Sequence, residues 1–335
     1  MSDYSLSGKT VLITGGTGSF GKAAAKKLLE NADVAKIIIF SRDEWKQWEM
    51  QNSDPIFRTD KIRFFLGDVR DSQRLGRALR DVHVVIHAAA LKQVPAAEYN
   101  PSEFIKTNIM GAMNIIDVAI ERGVERIVAL STDKAVNPIN LYGATKLCSD
   151  KLFIAGNVYV GKYGKPMLSV VRYGNVLGSR GSLLPHWKSL IENKSPFLPV
   201  TDEKMSRFWI TLDQAVDFVL NRLKNMLGGE IFVPKIPSIK IIDLAKVMAP
   251  NLEIKITGIR EGEKLHELLI SSEEARYTFE YPDYYCILPP AFKTNLEERM
   301  QKLKIPGVKV PAGFSYDSDN NPKSLTQAEV KKLVL

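Results

Sequence analysis

Short apolar runs alternate with longer stretches of helical spacing through the first half of the chain. Residues 10–14 (TVLIT), 36–40 (KIIIF), 62–66, 82–87 (VHVVIH), 126–130 and 168–172 predict six strands. Residues 22–31, 108–122 and 142–155 predict helices between them. Strands that are apolar nearly throughout are buried on both faces, which requires helices above and below a parallel sheet. The alternation therefore predicts an α/β fold, a Rossmann-like doubly wound parallel sheet.

The rhythm breaks after Asn175. A polar loop at 178–182 leads to a Pro-containing, charged stretch, then a helix at 212–227 and a strand at 230–233 that could rejoin the first sheet. A short helix from Lys240, a strand at 253–256, a helix at 264–271 and a polar tail complete the chain. This divides it into a dinucleotide domain, 1–175 with 213–236 rejoining it, and a smaller α/β substrate lobe from 176–212 and 237–335.

Composition narrows the class. Of 335 residues, 45% are hydrophobic and 25% charged, so the chain can bury a core and is not disordered. The net charge of +8 suits an anionic partner without choosing it. Cys148 and Cys286 allow at most one disulfide, and no Cys/His spacing suits zinc, so no metal is expected. The N-terminus lacks a signal-peptide core and no apolar run could span a bilayer. A cytosolic protein with free thiols and no membrane contact is the expectation.

The most specific local signal is Thr14-Gly-Gly-Thr-Gly-Ser-Phe-Gly21, between a strand and a helix. Gly15, Gly18 and Gly21 permit a tight turn and close approach of backbone to a pyrophosphate, held by the helix N-terminus. The second strand ends in Ser41-Arg42-Asp43. An acid there would favour NAD, whereas Arg42 can fork onto a 2′-phosphate and Ser41 can donate to it. NADP is favoured, although Arg42 and Asp43 could be an exposed pair. Asp68-Val69 could hold the adenine, and Ala88-Ala89 let the chain pass close to the cofactor.

Tyr142-Gly-Ala-Thr-Lys146 opens a predicted helix, with Tyr142 and Lys146 on one face. A free phenol has a pKa of about 10, and a neighbouring ammonium favours the phenolate. Such a tyrosine can take a proton from an alcohol as hydride leaves. Ser131-Thr-Asp-Lys134 follows the fifth strand. Asp133 and Lys134 add an acid and a base that a plain alcohol dehydrogenase would not need, which suggests proton transfer at other carbons.

Nine segments carry a resemblance: TGGTGSFGK, SRDE, GDVRD, AAALKQVPAAEYNP, STDKAVNPINLYGATK, RYGNVLGSRGS, SRFWIT, GGEIFVPKIPS and GIREGEKLHE. Together, over roughly residues 8–270, they resemble the extended short-chain dehydrogenase/reductase superfamily. They are more closely similar to its soluble, inverting UDP-N-acetylglucosamine 4,6-dehydratases, hydro-lyases that start pseudaminic acid synthesis. Retaining, membrane-anchored relatives carry methionine where this chain has Tyr142.

The resemblance implies NADP contacts from Gly15, Thr17, Gly18, Ser19, Phe20, Gly21, Ser41, Arg42, Asp43, Lys46, Asp68, Val69, Ala88, Ala89, Asn108, Tyr142 and Lys146. It implies UDP-N-acetylglucosamine contacts from Lys92, Tyr142, Asn175, Arg180, Ser182, Arg207, Arg260 and Glu263. It implies catalysis by Thr132, Asp133, Lys134, Tyr142 and Lys146. Tyr142, supported by Lys146, would take the 4-hydroxyl proton, Lys134 the C5 proton, and Asp133 would protonate the departing 6-hydroxyl. Reprotonation of C5 on the opposite face, by Lys134 or a nearby acid, would invert it. A homo-oligomer, a hexamer, is expected.

Two rivals stand beside this reading. A nucleotide-sugar 4-epimerase would share Tyr142, Lys146 and the cofactor but would not need Asp133 and Lys134. A non-catalytic NADP sensor or an RNA-binding protein could use the positive charge, but no nucleic-acid motif or basic-aromatic stripe is present. His87 and His266 read as packed or capping residues, and Phe208 and Trp209 as core.

Overall fold

The computed structural model describes residues 4–161, 164–179, 181–289 and 307–334. Its large sheet is built first from β1 (Thr10–Thr14), β2 (Lys36–Ser41), β3 (Ile62–Leu66), β4 (Val84–His87), β5 (Arg126–Thr132) and β6 (Met167–Tyr173). These pair in parallel in the order β3-β2-β1-β4-β5-β6. All four residues of β4 are buried, as are the last five of β2, because helices cover both faces.

The helices of this half are α1 (Ser19–Asn31), α2 (Glu44–Ser53), α3 (Ser72–Ala78), α4 (Val94–Tyr99), α5 (Pro101–Phe104), α6 (Gly111–Glu121) and α7 (Leu141–Tyr159). A π-helical turn, Ile105–Met110, joins α5 to α6, so the helix expected over 108–122 starts in a different winding. Chain direction across the sheet reverses between β1 and β4. The carboxyl ends of the strands at such a switch point are where α/β sheets bind ligands.

The second half adds β7 (Asn175–Val176), α8 (Leu183–Glu192), β8 (Phe197–Val200), β9 (Ser206–Ile210), α9 (Leu212–Asn225), β10 (Ile231–Pro234), β11 (Ser238–Lys240), α10 (Ile241–Met248) and β12 (Glu253–Ile256). Strand β10 pairs in parallel with β6, and α9 packs on α1. A second apolar cluster holds Trp187, Leu198, Met205, Trp209, Ile239 and Leu244, around the small sheets β11-β9-β7 and β12-β8. Phe208 is fully buried in the main core.

Two expectations are corrected here. Residues 264–271 form no helix: they lead into β13 (Leu268–Ile270), which pairs with β17 (Tyr316–Asp317). Arg207 takes the carbonyls of Lys264 and Leu265, which a helix would have used for its own ladder. Nor does all of 237–335 belong to the small lobe. Strands β14 (Thr278–Glu280) and β15 (Tyr284–Ile287) extend the large sheet, β15 antiparallel to β10, and β16 (Val308–Lys309) adds to β14. The alternating apolar residues Phe279, Tyr281, Tyr285 and Ile287 bury there. The chain closes with α11 (Gln327–Val334).

Candidate active site

The Gly-rich turn sits at the switch point. Gly15 has φ +63°, and a β-carbon on it would stand 2.9 Å from the Ala89 backbone. Only glycine lets this turn lie against Ala88 and Ala89. Thr14 ties the two strand ends together: its hydroxyl accepts from the Ala88 and Ala89 N–H groups at 3.1 and 3.2 Å. The hydroxyl's proton is then directed to His87 Nδ1 at 2.8 Å, which puts the imidazole proton on Nε2. His87 is buried and stays neutral, its pKa pushed down to about 3 by burial and by the Lys146 charge. It is a packed residue, as the sequence suggests.

Gly18 precedes α1, whose first turn, with Ser19, Phe20 and Gly21, carries no acid. Thr17 is buried beside it. This cradle of close glycine backbone at a helix start fits a dinucleotide pyrophosphate.

The end of β2 separates its three candidates. Ser41 is buried and its oxygen accepts from Gln47 Nε2 at 3.0 Å. Asp43 caps α2, accepting from the Lys46 N–H at 3.0 Å, and pairs with the Lys46 ammonium at 2.7 Å. It thus has a local reason to be acidic. Arg42 is half exposed, with Asp68 3.8 Å away. Asp68 itself is committed to Arg70, whose Nε and Nη2 lie at 3.0 and 2.8 Å. Although burial raises the Asp68 pKa, Arg70 more than offsets it and holds the carboxyl below its usual value. Val69 is buried, its carbonyl accepting from Asn114.

Asn108 is expected at the cofactor, but its amide is consumed within the protein. Its Oδ1 accepts from the Leu91 N–H at 2.9 Å, and its Nδ2 donates to the Leu91 carbonyl and to Thr145 Oγ1. It fixes the segment after β4 against α7.

The candidate catalytic residues do converge. Thr132 ends β5 and donates to Asp133 Oδ1 at 2.8 Å. Lys134 Nζ donates to the same oxygen at 3.1 Å. Asp133 is fully buried. Asn140 caps α7 with its Oδ1 on the Gly143 N–H at 2.8 Å, while its Nδ2 donates to the Gly262 carbonyl at 2.7 Å. One side chain therefore both starts the Tyr142 helix and joins it to the small lobe.

The charge pattern differs from the expected one. Burial pushes the Tyr142 phenol up to about 12, and the cation that does most to oppose this is Lys134, with hydrogen bonding to Thr132 helping. Lys146 is buried, which lowers its pKa, and the charge that opposes this is Asp150, one helical turn on. Asp150 in turn meets the buried Arg172 at 3.4 Å, and Arg172 reaches Glu274 at 3.1 Å.

The sequence reading passes over Glu267. Its Oε1 lies 3.1 Å from Lys134 Nζ and 3.6 Å from Arg207 Nε, and the residue is 2% exposed. Burial alone would favour neutral Lys134, but Asp133 and Glu267 more than offset it and hold the ammonium. The available signal was the final glutamate of GIREGEKLHE.

The expected substrate residues fall into three groups. Lys92 follows β4, and its pKa is lowered by partial burial and by the nearby Lys134 charge. Asn175 opens β7, and Ser182 stands before α8 with its oxygen buried and no hydrogen-bond partner among the described residues. Arg260 is exposed, its N–H 3.4 Å from Glu263 Oε2. Arg207 is not available for a diphosphate. It is buried, donates to the carbonyls of Ser206, Lys264 and Leu265, and meets Glu263 and Glu267. It braces the 263–267 segment instead. Arg180 lies outside the described residues. His266 Nδ1 bonds Ser206 Oγ at 2.8 Å, a packed role. Cys148 is exposed and Cys286 buried, with no disulfide between them, and no described helix is long and apolar enough to cross a membrane.

The sheet order and the glycine turn at its switch point, with the tyrosine–lysine helix beside it, define a Rossmann-type α/β protein with a dinucleotide-binding turn. More particularly, the chain belongs to the polysaccharide biosynthesis protein family, which matches residues 11–289. It is 56% identical over 329 residues to the UDP-N-acetylglucosamine 4,6-dehydratase (inverting) of Campylobacter jejuni serotype O:23/36 (strain 81-176), covering 98% of this chain and 97% of that one. It is 40% identical to the UDP-glucose 4-epimerase of Rickettsia conorii, covering 98% and 95%. The X-ray structure of Pen from Bacillus thuringiensis superposes with a TM-score of 0.88 at 35% identity, covering 98% of each chain.

Proposed function

We propose that the chain is an inverting UDP-N-acetylglucosamine 4,6-dehydratase that uses NADP. It makes UDP-2-acetamido-2,6-dideoxy-β-L-arabino-hexos-4-ulose, the first step of pseudaminic acid synthesis. The observation that carries this reading is the meeting of Asp133, Lys134 and Tyr142 at one buried site. The similarity to the Campylobacter dehydratase supports it over nearly the whole chain.

The Gly15–Gly21 turn, Ala88, Ala89 and Arg42 would hold the dinucleotide, which, when bound, would supply reversible hydride transfer. Tyr142 accepts the 4-hydroxyl proton as its phenolate, the form that the Lys134 charge and the Thr132 hydrogen bond favour against burial. The ketone made at C4 acidifies the hydrogen on C5. Lys134 takes that proton, and Asp133 passes to the departing 6-hydroxyl a proton that it must first receive, the one released at O4. A resting ammonium must lose a proton before it can take one, so Lys134 needs a neighbour that accepts.

A 4-epimerase is the second reading, favoured by the Rickettsia relative. It leaves the work of Asp133 and Lys134 unexplained. Incubation with UDP-N-acetylglucosamine followed by mass spectrometry separates the two. Dehydration gives a product lighter by one water; epimerisation gives an isomer of unchanged mass.

A further inference from the structure

Glu267 is a buried carboxylate with an elaborate support and no part in the steps above. Its N–H donates to Ser318 Oγ at 2.9 Å and its carbonyl accepts from the Ser318 N–H at 2.9 Å. The next residue, Leu268, pairs with Asp317 of β17. The last part of the chain thus folds back to hold this one residue against Lys134. Its Oε1 shares the Lys134 ammonium with Asp133 Oδ1, both at 3.1 Å. Its Oε2 is buried and has no hydrogen-bond partner among the described residues. A buried carboxylate oxygen without a partner is costly to keep, and it is a place where a proton can land.

We propose that Lys134 and Glu267 accept the C5 proton as a pair, with Glu267 the positioning residue: the ammonium passes a proton to Glu267 and takes the substrate's C5 proton in its place. This rests on the dehydratase reading. Before the step the pair is an ammonium and a carboxylate; after it, an ammonium and a carboxylic acid. The C5–H bond breaks and an O–H bond forms on Glu267. The electron pair stays on the substrate as the enolate of the 4-ketone, and no oxidant or reductant is needed. Asp133 remains the group that protonates the leaving hydroxyl.

The titratable and charged groups facing Lys134 are Asp133, Glu267, Arg207 and Tyr142, with Lys92 and Lys264 also nearby. His266 faces Ser206 and Asp319. A coupled pair titrates as a unit. Its capacity for a proton is that of the ionised carboxylate, so C5 proton removal should stay flat with pH across the neutral range. A lone lysine amine would instead become active about tenfold per pH unit.

The test isolates the proton step. The NADP-loaded enzyme is given the 4-keto product in deuterated water from about pH 6 to about pH 9, and loss of the C5 proton is followed by NMR. Wild type is expected to exchange at a rate nearly independent of pH. Glu267→Gln should be slower by at least about a hundredfold at neutral pH and should climb about tenfold per unit. Glu267→Asp, which keeps the acid, should restore the flat profile at a reduced rate. A Glu267→Gln profile that is lower but flat means a merely structural role and overturns the pair. So does a wild-type profile that climbs, which needs no variant to fold. If wild type exchanges no C5 proton at all, the dehydratase reading itself falls, and the pair with it.

Discussion

Gly143 lies so close to Lys134 that a β-carbon on it would overlap the Lys134 carbonyl oxygen. That approach brings the start of α7, and Tyr142 with it, against the loop carrying Asp133 and Lys134. Gly143→Ala must push the two segments apart. Overpacking of this kind costs about 1–3 kcal/mol, read by thermal or urea unfolding. Displacement by about 1 Å at a reacting group can cost about a hundredfold in rate. We expect kcat to fall by that order while NADP affinity changes little. Unchanged stability and rate would mean that this contact does not set the site.

Under the NADP reading proposed above, Arg42 would read the 2′-phosphate, since Asp43 serves as the cap of α2. Arg42→Ala should weaken NADP⁺ by about 1.5–3 kcal/mol, the worth of a hydrogen bond to a charged group, and NAD⁺ by much less. Calorimetric titration with both cofactors measures the difference. Equal losses would take the 2′-phosphate away from Arg42.

His87 makes stability depend on acid. Folded, its pKa is pushed down to about 3 from 6.5, by burial first and the Lys146 charge second. Unfolded, it takes up a proton near its ordinary value. Its contribution is therefore complete above pH 6.5 and is lost as pH falls below it, toward the folded value. At about pH 5 the loss is about 2 kcal/mol. Urea unfolding at neutral pH and at about pH 5 should show wild type losing about that much more than His87→Gln. Equal losses in the two proteins would mean that His87 takes up its proton without unfolding.

Much of this was legible in the sequence. The apolar runs of β1, β2 and β4–β6 are buried on both faces, so their pattern announces a covered parallel sheet. Gly15–Gly21, Thr132–Lys134 and Tyr142–Lys146 are local motifs, and local spacing suffices to find them. Glu267 was not legible, because what defines it is tertiary: its reach to Lys134, its bonds to Ser318 and the pairing of β13 with β17. For the same reason residues 264–271 read as a helix, since only the structure reveals that Arg207 claims their carbonyls. The acid at Asp43 shows the opposite limit. A helix cap and a ribose ligand look alike at that position until the neighbouring N–H groups are seen.

The central claim is dehydration across C5–C6 driven by oxidation at C4. UDP-N-acetylglucosamine carrying deuterium at C4 is incubated with the enzyme and NADP⁺ in ordinary water, and in parallel the unlabelled sugar is incubated in deuterated water. NMR of the product then reads each position. The account predicts a 4-keto, 6-deoxy sugar with the C4 deuterium now on C6, solvent hydrogen at C5, inverted configuration at C5, and no build-up of NADPH. Tyr142→Phe should abolish both events, whereas Lys134→Ala should suppress the C5 exchange and leave cofactor affinity intact. An isomer of unchanged mass, with label retained at C4 and no solvent hydrogen at C5, would contradict the account and leave a 4-epimerase in its place.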